Sequence, residues 1–260
     1  MQKILVNGTT IAYDRRGQGT PVVLVHGFPL DHSSWDALAA QLENQAEVIS
    51  LDLRGMGQSD LATSGAPQGA YTVADMAGDI TGLLDALQIH KAVVVGHSMG
   101  GYVALAFARA YPQRLLGLGL VSTQALPDSP ERKAGRYATV EQVAAHGVSV
   151  VADSMAPKLT ANPEQVALLR EMILRQPAAG VIGALKAMAE RPDCMGLIPT
   201  FRFPVAILHG LADALIPVDR SREMKAFIPQ AGFTELLDVG HSPMLEAPLE
   251  TAKALKKLLA

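Results

Sequence analysis

Five consecutive residues, Gly96-His97-Ser98-Met99-Gly100, place a hydroxyl between glycines at i−2 and i+2. Chance supplies about 0.1 matches to G-x-S-x-G in a chain of this composition, so the pattern alone is weak. Its setting says more. Ala92-Val93-Val94-Val95 is a short β-branched run, and residues 99–111 carry apolar side chains at helical spacing. A serine at so sharp a strand-to-helix turn takes a strained backbone, which lifts its hydroxyl above the sheet over the positive end of a helix. An ordinary N-cap serine would not need glycine on both sides. Ser98 is the expected nucleophile.

A serine hydroxyl reacts slowly at neutral pH unless a base takes its proton and a third group holds that base. The chain has seven histidines. His26 and His209 each end an apolar strand in a His-Gly pair, the setting of a satisfied structural histidine. His97 adjoins Ser98, where neighbours on a tight elbow point apart. His32 and His90 are expected in surface turns, and His146 in a helical segment. His241, in Asp238-Val239-Gly240-His241-Ser242-Pro243, follows the last strand. The loops at the carboxyl ends of parallel strands share one edge, so His241 reaches the edge that carries Ser98. The same argument selects Asp213, four residues beyond His209, as the orienting acid. Asp219 is expected to begin a helix, Asp238 points elsewhere, and no acid follows strand 116–121 before Asp128. Two amides are expected to hold a developing oxyanion: Met99, after the nucleophile, and Phe28, in His26-Gly27-Phe28-Pro29, where Pro29 has no N–H.

These loops need a sheet to align them. Residues 2–6 and 10–14 flank Asn7-Gly8, a hairpin signal. Short apolar runs at 21–25, 48–51, 92–95, 116–121, 204–208 and 233–239 read as strands. Helical spacing covers 34–43, 73–88, 99–111, 219–227 and 243–259. The alternation implies an α/β fold, a mostly parallel central sheet flanked by helices. Residues 123–203 break the rhythm with helix-like pieces cut by seven prolines. They are expected to form an inserted helical cap, with 1–122 and 204–260 as the core. Met155, Met172, Met188 and Met195 would give that cap an adaptable apolar surface.

Composition removes other classes. The chain has 260 residues, a formal net charge of −3 and no long charged block, so no basic footprint for nucleic acid is present. A single cysteine, Cys194, excludes an internal disulfide and any multi-cysteine metal site. No apolar stretch approaches the ~18 residues of a membrane span, and the first residues turn polar too early for a signal peptide, so a cytoplasmic address is expected. No G-x-G-x-x-G stretch supports a nucleotide cofactor, and no cofactor is expected.

Taken together, His26-Gly27-Phe28-Pro29, the elbow 96–101, His209-Gly210-Leu211-Ala212-Asp213, and Gly240-His241-Ser242-Pro243 with Glu246 and Pro248 resemble the α/β-hydrolase superfamily over nearly the whole core. Residues 52–60, Asp-Leu-Arg-Gly-Met-Gly-Gln-Ser-Asp, resemble the loop after another strand of that superfamily, with an expected role in holding the active-site edge. The single-cap layout looks like the carboxylesterase, 3-oxoadipate enol-lactonase and cofactor-free perhydrolase group. Ser98 stands where haloalkane dehalogenases and epoxide hydrolases use aspartate, and His97 departs from the asparagine of carbon–carbon bond hydrolases. The resemblance implies a carboxylesterase-type serine hydrolase acting on a small ester or lactone, with short to medium acyl chains expected. A lactonase or perhydrolase using the same residues, or a ligand-binding receptor on this fold, are the alternatives. An enol-lactonase needs a cation for its substrate carboxylate. Arg132, Arg136 and Arg191 are candidates that the sequence does not place.

Overall fold

Valine-rich runs such as Val22–Val25 and Val93–Val95 are apolar on both alternating faces, which suits strands covered on both sides. In the computed structural model, which describes residues 1–61 and 71–259, they lie at the centre of an eight-stranded sheet. Its strands are β1 (Gln2–Val6), β2 (Thr9–Gly17), β3 (Thr20–Val25), β4 (Ala46–Leu51), β5 (Ala92–His97), β6 (Leu115–Val121), β7 (Val205–Gly210) and β8 (Gly232–Leu236). The spatial order is β1-β2-β4-β3-β5-β6-β7-β8. β1 and β2 form the hairpin that Asn7-Gly8 predicts, with both turn residues at positive φ. β2 is antiparallel to β4, and the remaining pairs are parallel.

The order reverses around β3: the chain leaves it outward to β4 and returns to β5 on its other side. Such a switch point opens a crevice beyond the strands' carboxyl ends, where α/β folds bind ligands. The loop after β3 carries Phe28, and the turn after β5 carries Ser98.

The helices of the first half are α1 (Asp36–Leu42), α2 (Val73–Ala86) and α3 (Met99–Ala110). Thr72 and Asp75 close a reciprocal capping box at the start of α2. Between β6 and β7 the chain inserts α4 (Pro130–His146), α5 (Ser149–Leu159), α6 (Pro163–Leu174) and α7 (Ala178–Ala189). Pro130 and Pro163 sit in the first turns of α4 and α6, where a missing N–H costs nothing. The last part of the chain holds α8 (Asp219–Phe227), α9 (Pro243–Glu246) and α10 (Pro248–Leu255).

Two expected elements end differently. The expected helix over 243–259 breaks at Ala247, because Pro248 disfavours helical backbone in the residue before it. Strand 233–239 stops at Leu236, and Asp238 turns the chain at φ 59°.

The insertion is docked on the Asp52–Asp60 loop. Gly57 N–H donates to Gln176 Oε1 at 2.8 Å, and Gln176 Nε2 donates to Asp31 Oδ2 at 3.1 Å. Tyr71 O–H donates to the Gly180 carbonyl at 2.9 Å. Gly180 meets Gly55 so closely that a Cβ on Gly180 would lie 1.6 Å from the Gly55 carbonyl oxygen. The loop thus holds the helical insertion as well as the sheet edge.

Candidate active site

Ser98 occupies the elbow between β5 and α3 at φ 52° and ψ −114°, a conformation that L-residues rarely adopt outside strained sites. The flanking glycines are sterically required. A Cβ on Gly96 would lie 2.1 Å from the Gly100 carbonyl oxygen, and one on Gly100 would lie 2.1 Å from that of Val25. Ser98 makes no side-chain capping bond, so helix capping does not explain it. Its hydroxyl faces a cavity of about 330 Å³ that His241 and Phe28 also line.

His241 follows β8 in a loop pinned by Glu246, whose carboxylate accepts the amides of Gly240 at 3.1 Å and Ser242 at 3.0 Å. The imidazole Nδ1–H donates to Asp213 Oδ2 at 2.7 Å, which leaves Nε2 as the basic nitrogen. Asp213 is held in turn. Its Oδ1 accepts the amides of Leu215 at 2.8 Å and Ile216 at 3.0 Å, and His209 Nε2 lies 3.1 Å from Oδ2. Burial alone would raise the Asp213 pKa, but hydrogen bonds from His209 and His241 outweigh it and hold the carboxyl well below the usual range. Asp213 is therefore a fixed anion behind His241.

The structure thus brings Ser98, His241 and Asp213 to one edge, as the strand argument expects. The Ser98 hydroxyl makes no hydrogen bond among the described residues. The competing acids are elsewhere. Asp238 is exposed, and Asp128 is bound by Arg136 and Arg191.

The loop after β3 folds tightly, with Leu30 N–H donating to the Gly27 carbonyl at 2.9 Å. His26 accepts the Leu53 amide on Nε2 at 3.0 Å and donates from Nδ1 to the Gly27 carbonyl at 2.9 Å. Burial keeps His26 neutral by lowering its pKa, as that tautomer requires. Met99 opens α3, so its amide has no acceptor within the helix. Phe28 and Met99 thus stand on the two loops that flank Ser98.

The opposite wall comes from the insertion. Arg132, Arg136, Thr139, Ser154, Met155 and Lys158 line it. Arg191 does not: its guanidinium is buried 4.1 Å over the Tyr102 ring and bonded to Asp128 at 2.9 Å. Lys158 has no hydrogen-bond or ion-pair partner among the described residues. Of the four methionines, Met155 and Met188 reach the cavity.

Sequence reasoning missed two histidine roles. His32 is half-buried, not in a free surface turn, and its Nδ1 lies 2.7 Å from Asp52 Oδ1. His97 contacts the His241 carbonyl through Nε2 at 2.7 Å, a link that spacing could not show across 144 residues. Among the described residues, Asp31, His32 and Asp52 form one group with cation-binding donors within 4.8 Å of one another. Their ligand atoms are already engaged by Ser33, Gln176, Gln58 and one another, so the group buttresses the loop.

Residues 20–248 match the family model described as alpha/beta hydrolase fold. The chain is 39% identical to a thermophilic esterase from Thermogutta terrifontis solved with malate bound, with a TM-score of 0.94 and 100% of both chains covered. It is 27% identical to the enol-lactonase from Burkholderia xenovorans LB400, with a TM-score of 0.90 and 99% of both chains covered. It is also 31% identical over 258 residues to the dihydrolipoyllysine-residue acetyltransferase component of the acetoin cleaving system of Pseudomonas putida. That match takes in 95% of this chain and 65% of the relative's length. The eight-stranded sheet, the strained serine elbow and these likenesses place the chain in the α/β-hydrolase family.

Proposed function

We propose that the protein is a carboxylesterase-type serine hydrolase that cleaves small esters through an acyl-enzyme on Ser98. The observation that carries this reading is the strained Ser98 on the same cavity wall as His241, with Asp213 locked behind the imidazole at 2.7 Å. His241 Nε2 takes the Ser98 proton as Oγ attacks the ester carbonyl. The carbonyl π electrons move onto oxygen, and the amides of Phe28 and Met99 stabilise that oxyanion. The imidazolium rests on the Asp213 carboxylate. Collapse of the tetrahedral adduct breaks the bond to the alcohol oxygen, which leaves with the proton from His241. Water then gives a proton to His241 and attacks the acyl-enzyme. The second collapse breaks the bond from Ser98 Oγ to the acyl carbon, His241 returns its proton to Oγ, and the carboxylic acid is freed.

The helical insertion acts as the cap of this site. A cavity of about 330 Å³ with Met155, Met188, Leu185 and Leu215 in its walls suits short to medium acyl chains. A second reading concerns charge. Arg132, Arg136 and Lys158 line the cavity, no carboxylate lines it among the described residues, and Asp128 is shared by Arg132, Arg136 and Arg191. The surplus of positive charge favours esters or lactones that carry a carboxylate. The malate in the Thermogutta esterase and the likeness to an enol-lactonase support that reading. The proposal includes a cytoplasmic workplace. Among the described residues no helix is long and apolar enough to cross a membrane.

Hydrolysis of p-nitrophenyl acetate and butyrate by the wild type and Ser98→Ala tests the reading. We expect turnover in the wild type and a loss of at least about 10³-fold in the variant. An inactive wild type or an undiminished Ser98→Ala overturns it.

A further inference from the structure

His97 stands next to Ser98 in sequence, is fully buried, and packs between the loop that carries His241 and the loop after β3. Its position on the elbow fixes its Cα against the nucleophile. Its Nε2 lies 2.7 Å from the backbone carbonyl of His241, so the imidazole donates that N–H to the loop that carries the base. Its ring packs 4.9 Å from the His241 ring at a tilt of 55°. Its other edge faces the loop after β3, where a Cβ on Gly27 would lie 2.5 Å from His97 Nδ1. Trp35 meets the ring in a T-shaped arrangement, with centroids 6.2 Å apart.

This placement is costly for a residue that only fills space. Nδ1 is buried and has no hydrogen-bond partner among the described residues. A carbonyl can only accept, so the proton sits on Nε2 and Nδ1 keeps a buried, unshared lone pair. Burial, with the neighbouring His241, lowers the His97 pKa to about 3, which keeps the ring neutral beside a base that becomes charged during turnover. An apolar residue of similar volume would pack here without an orphaned acceptor. The retained feature is the Nε2–H bond.

We propose that His97 is a positioning residue: by holding the His241 carbonyl it fixes the backbone from which the base swings, and so sets the reach of His241 Nε2 to Ser98. The inference rests on the Ser98–His241–Asp213 reading. Side-chain geometry supplies a discriminating pair of variants. Glutamine extends its amide N–H to about the reach of histidine Nε2, whereas phenylalanine keeps a ring and lacks the donor.

The test compares wild type, His97→Gln and His97→Phe for folding by thermal melting, kcat and KM on p-nitrophenyl butyrate, and labelling of Ser98 by a fluorophosphonate. We expect His97→Phe to melt at or above the wild-type temperature, with kcat reduced 10- to 100-fold, KM changed less than threefold and labelling slowed in proportion. His97→Gln should recover kcat to within about fivefold of wild type. Equal kcat in His97→Phe and wild type overturns the inference. So does an equal loss in both variants, or a loss confined to variants that melt lower. A His97→Leu variant serves the same comparison if phenylalanine prevents folding. Wild-type protein labelled elsewhere than Ser98 overturns the underlying reading instead, so the two failures are distinguishable.

Discussion

The two walls of the cavity are built on different principles. The sheet-edge wall presents Ser98, His241 and Phe28, each fixed by a network that reaches into the core: Glu246 on the base loop, His209 and two amides on Asp213, His26 on the loop after β3. The wall from α4 and α5 presents long cationic side chains, Arg132, Arg136 and Lys158. Lys158 is unpartnered among the described residues, Arg132 meets Asp128 at 3.5 Å and the Leu215 carbonyl at 3.4 Å, and Arg136 is held by Asp128. A reacting geometry tolerates little slack, whereas attraction of a charged group through space tolerates a good deal. Fixed groups therefore suit bond making, and cations acting through space suit selection among substrates.

That division predicts that damage to the sheet-edge wall lowers kcat for every substrate. Asp213→Asn keeps the shape of the side chain but removes the anion behind His241. It should lower kcat by about 10³–10⁴-fold on neutral and anionic esters alike, with the melting temperature as the folding control. A variant that lost activity only on anionic esters would break the division. Damage to the helical wall should instead change preference. Lys158→Met should lower kcat/KM for a monosuccinate ester by about 5- to 20-fold, leaving p-nitrophenyl acetate within about twofold. Equal effects on both esters would assign Lys158 to general packing.

The same asymmetry governs what the sequence made legible. Period-two and apolar-run patterns located the strands within a few residues, because a sheet covered on both faces leaves little freedom in composition. The shared carboxyl edge of parallel strands then separated His241 and Asp213 from their rivals without coordinates. The helical wall resisted. Its arginines look alike in sequence, and only tertiary packing distinguishes Arg136, in the cavity, from Arg191, stacked beneath it on Tyr102. The roles of His97 and His32 were hidden for a related reason: each depends on a partner brought from a distant part of the chain.

The smallest expected effect is on acid stability. An unfolded histidine titrates near 6.5, but His97 in the fold accepts a proton only near 3 and His26 is shifted the same way. Below pH 6.5 the unfolded chain therefore binds more protons, and stability falls as pH drops toward 3. Asp213, also shifted down, adds to this loss once pH passes below the ordinary carboxylate range. His32 opposes it: net of burial, its bond to Asp52 raises its pKa, so its contribution is complete below 6.5 and fades as pH rises through the raised value. His97→Phe should shallow the decline in urea midpoint between pH 6.5 and 4, and an unchanged slope would assign the decline to the other groups.

The central claim is that acyl transfer passes through Ser98. Rapid acid quench of the enzyme during turnover of p-nitrophenyl butyrate, followed by peptide mass spectrometry, tests it most directly. The account predicts a butyryl group on Ser98 in the wild type and none on that peptide in Ser98→Ala. Steady turnover with the acyl group on another residue, or undiminished turnover by the alanine variant, would contradict it.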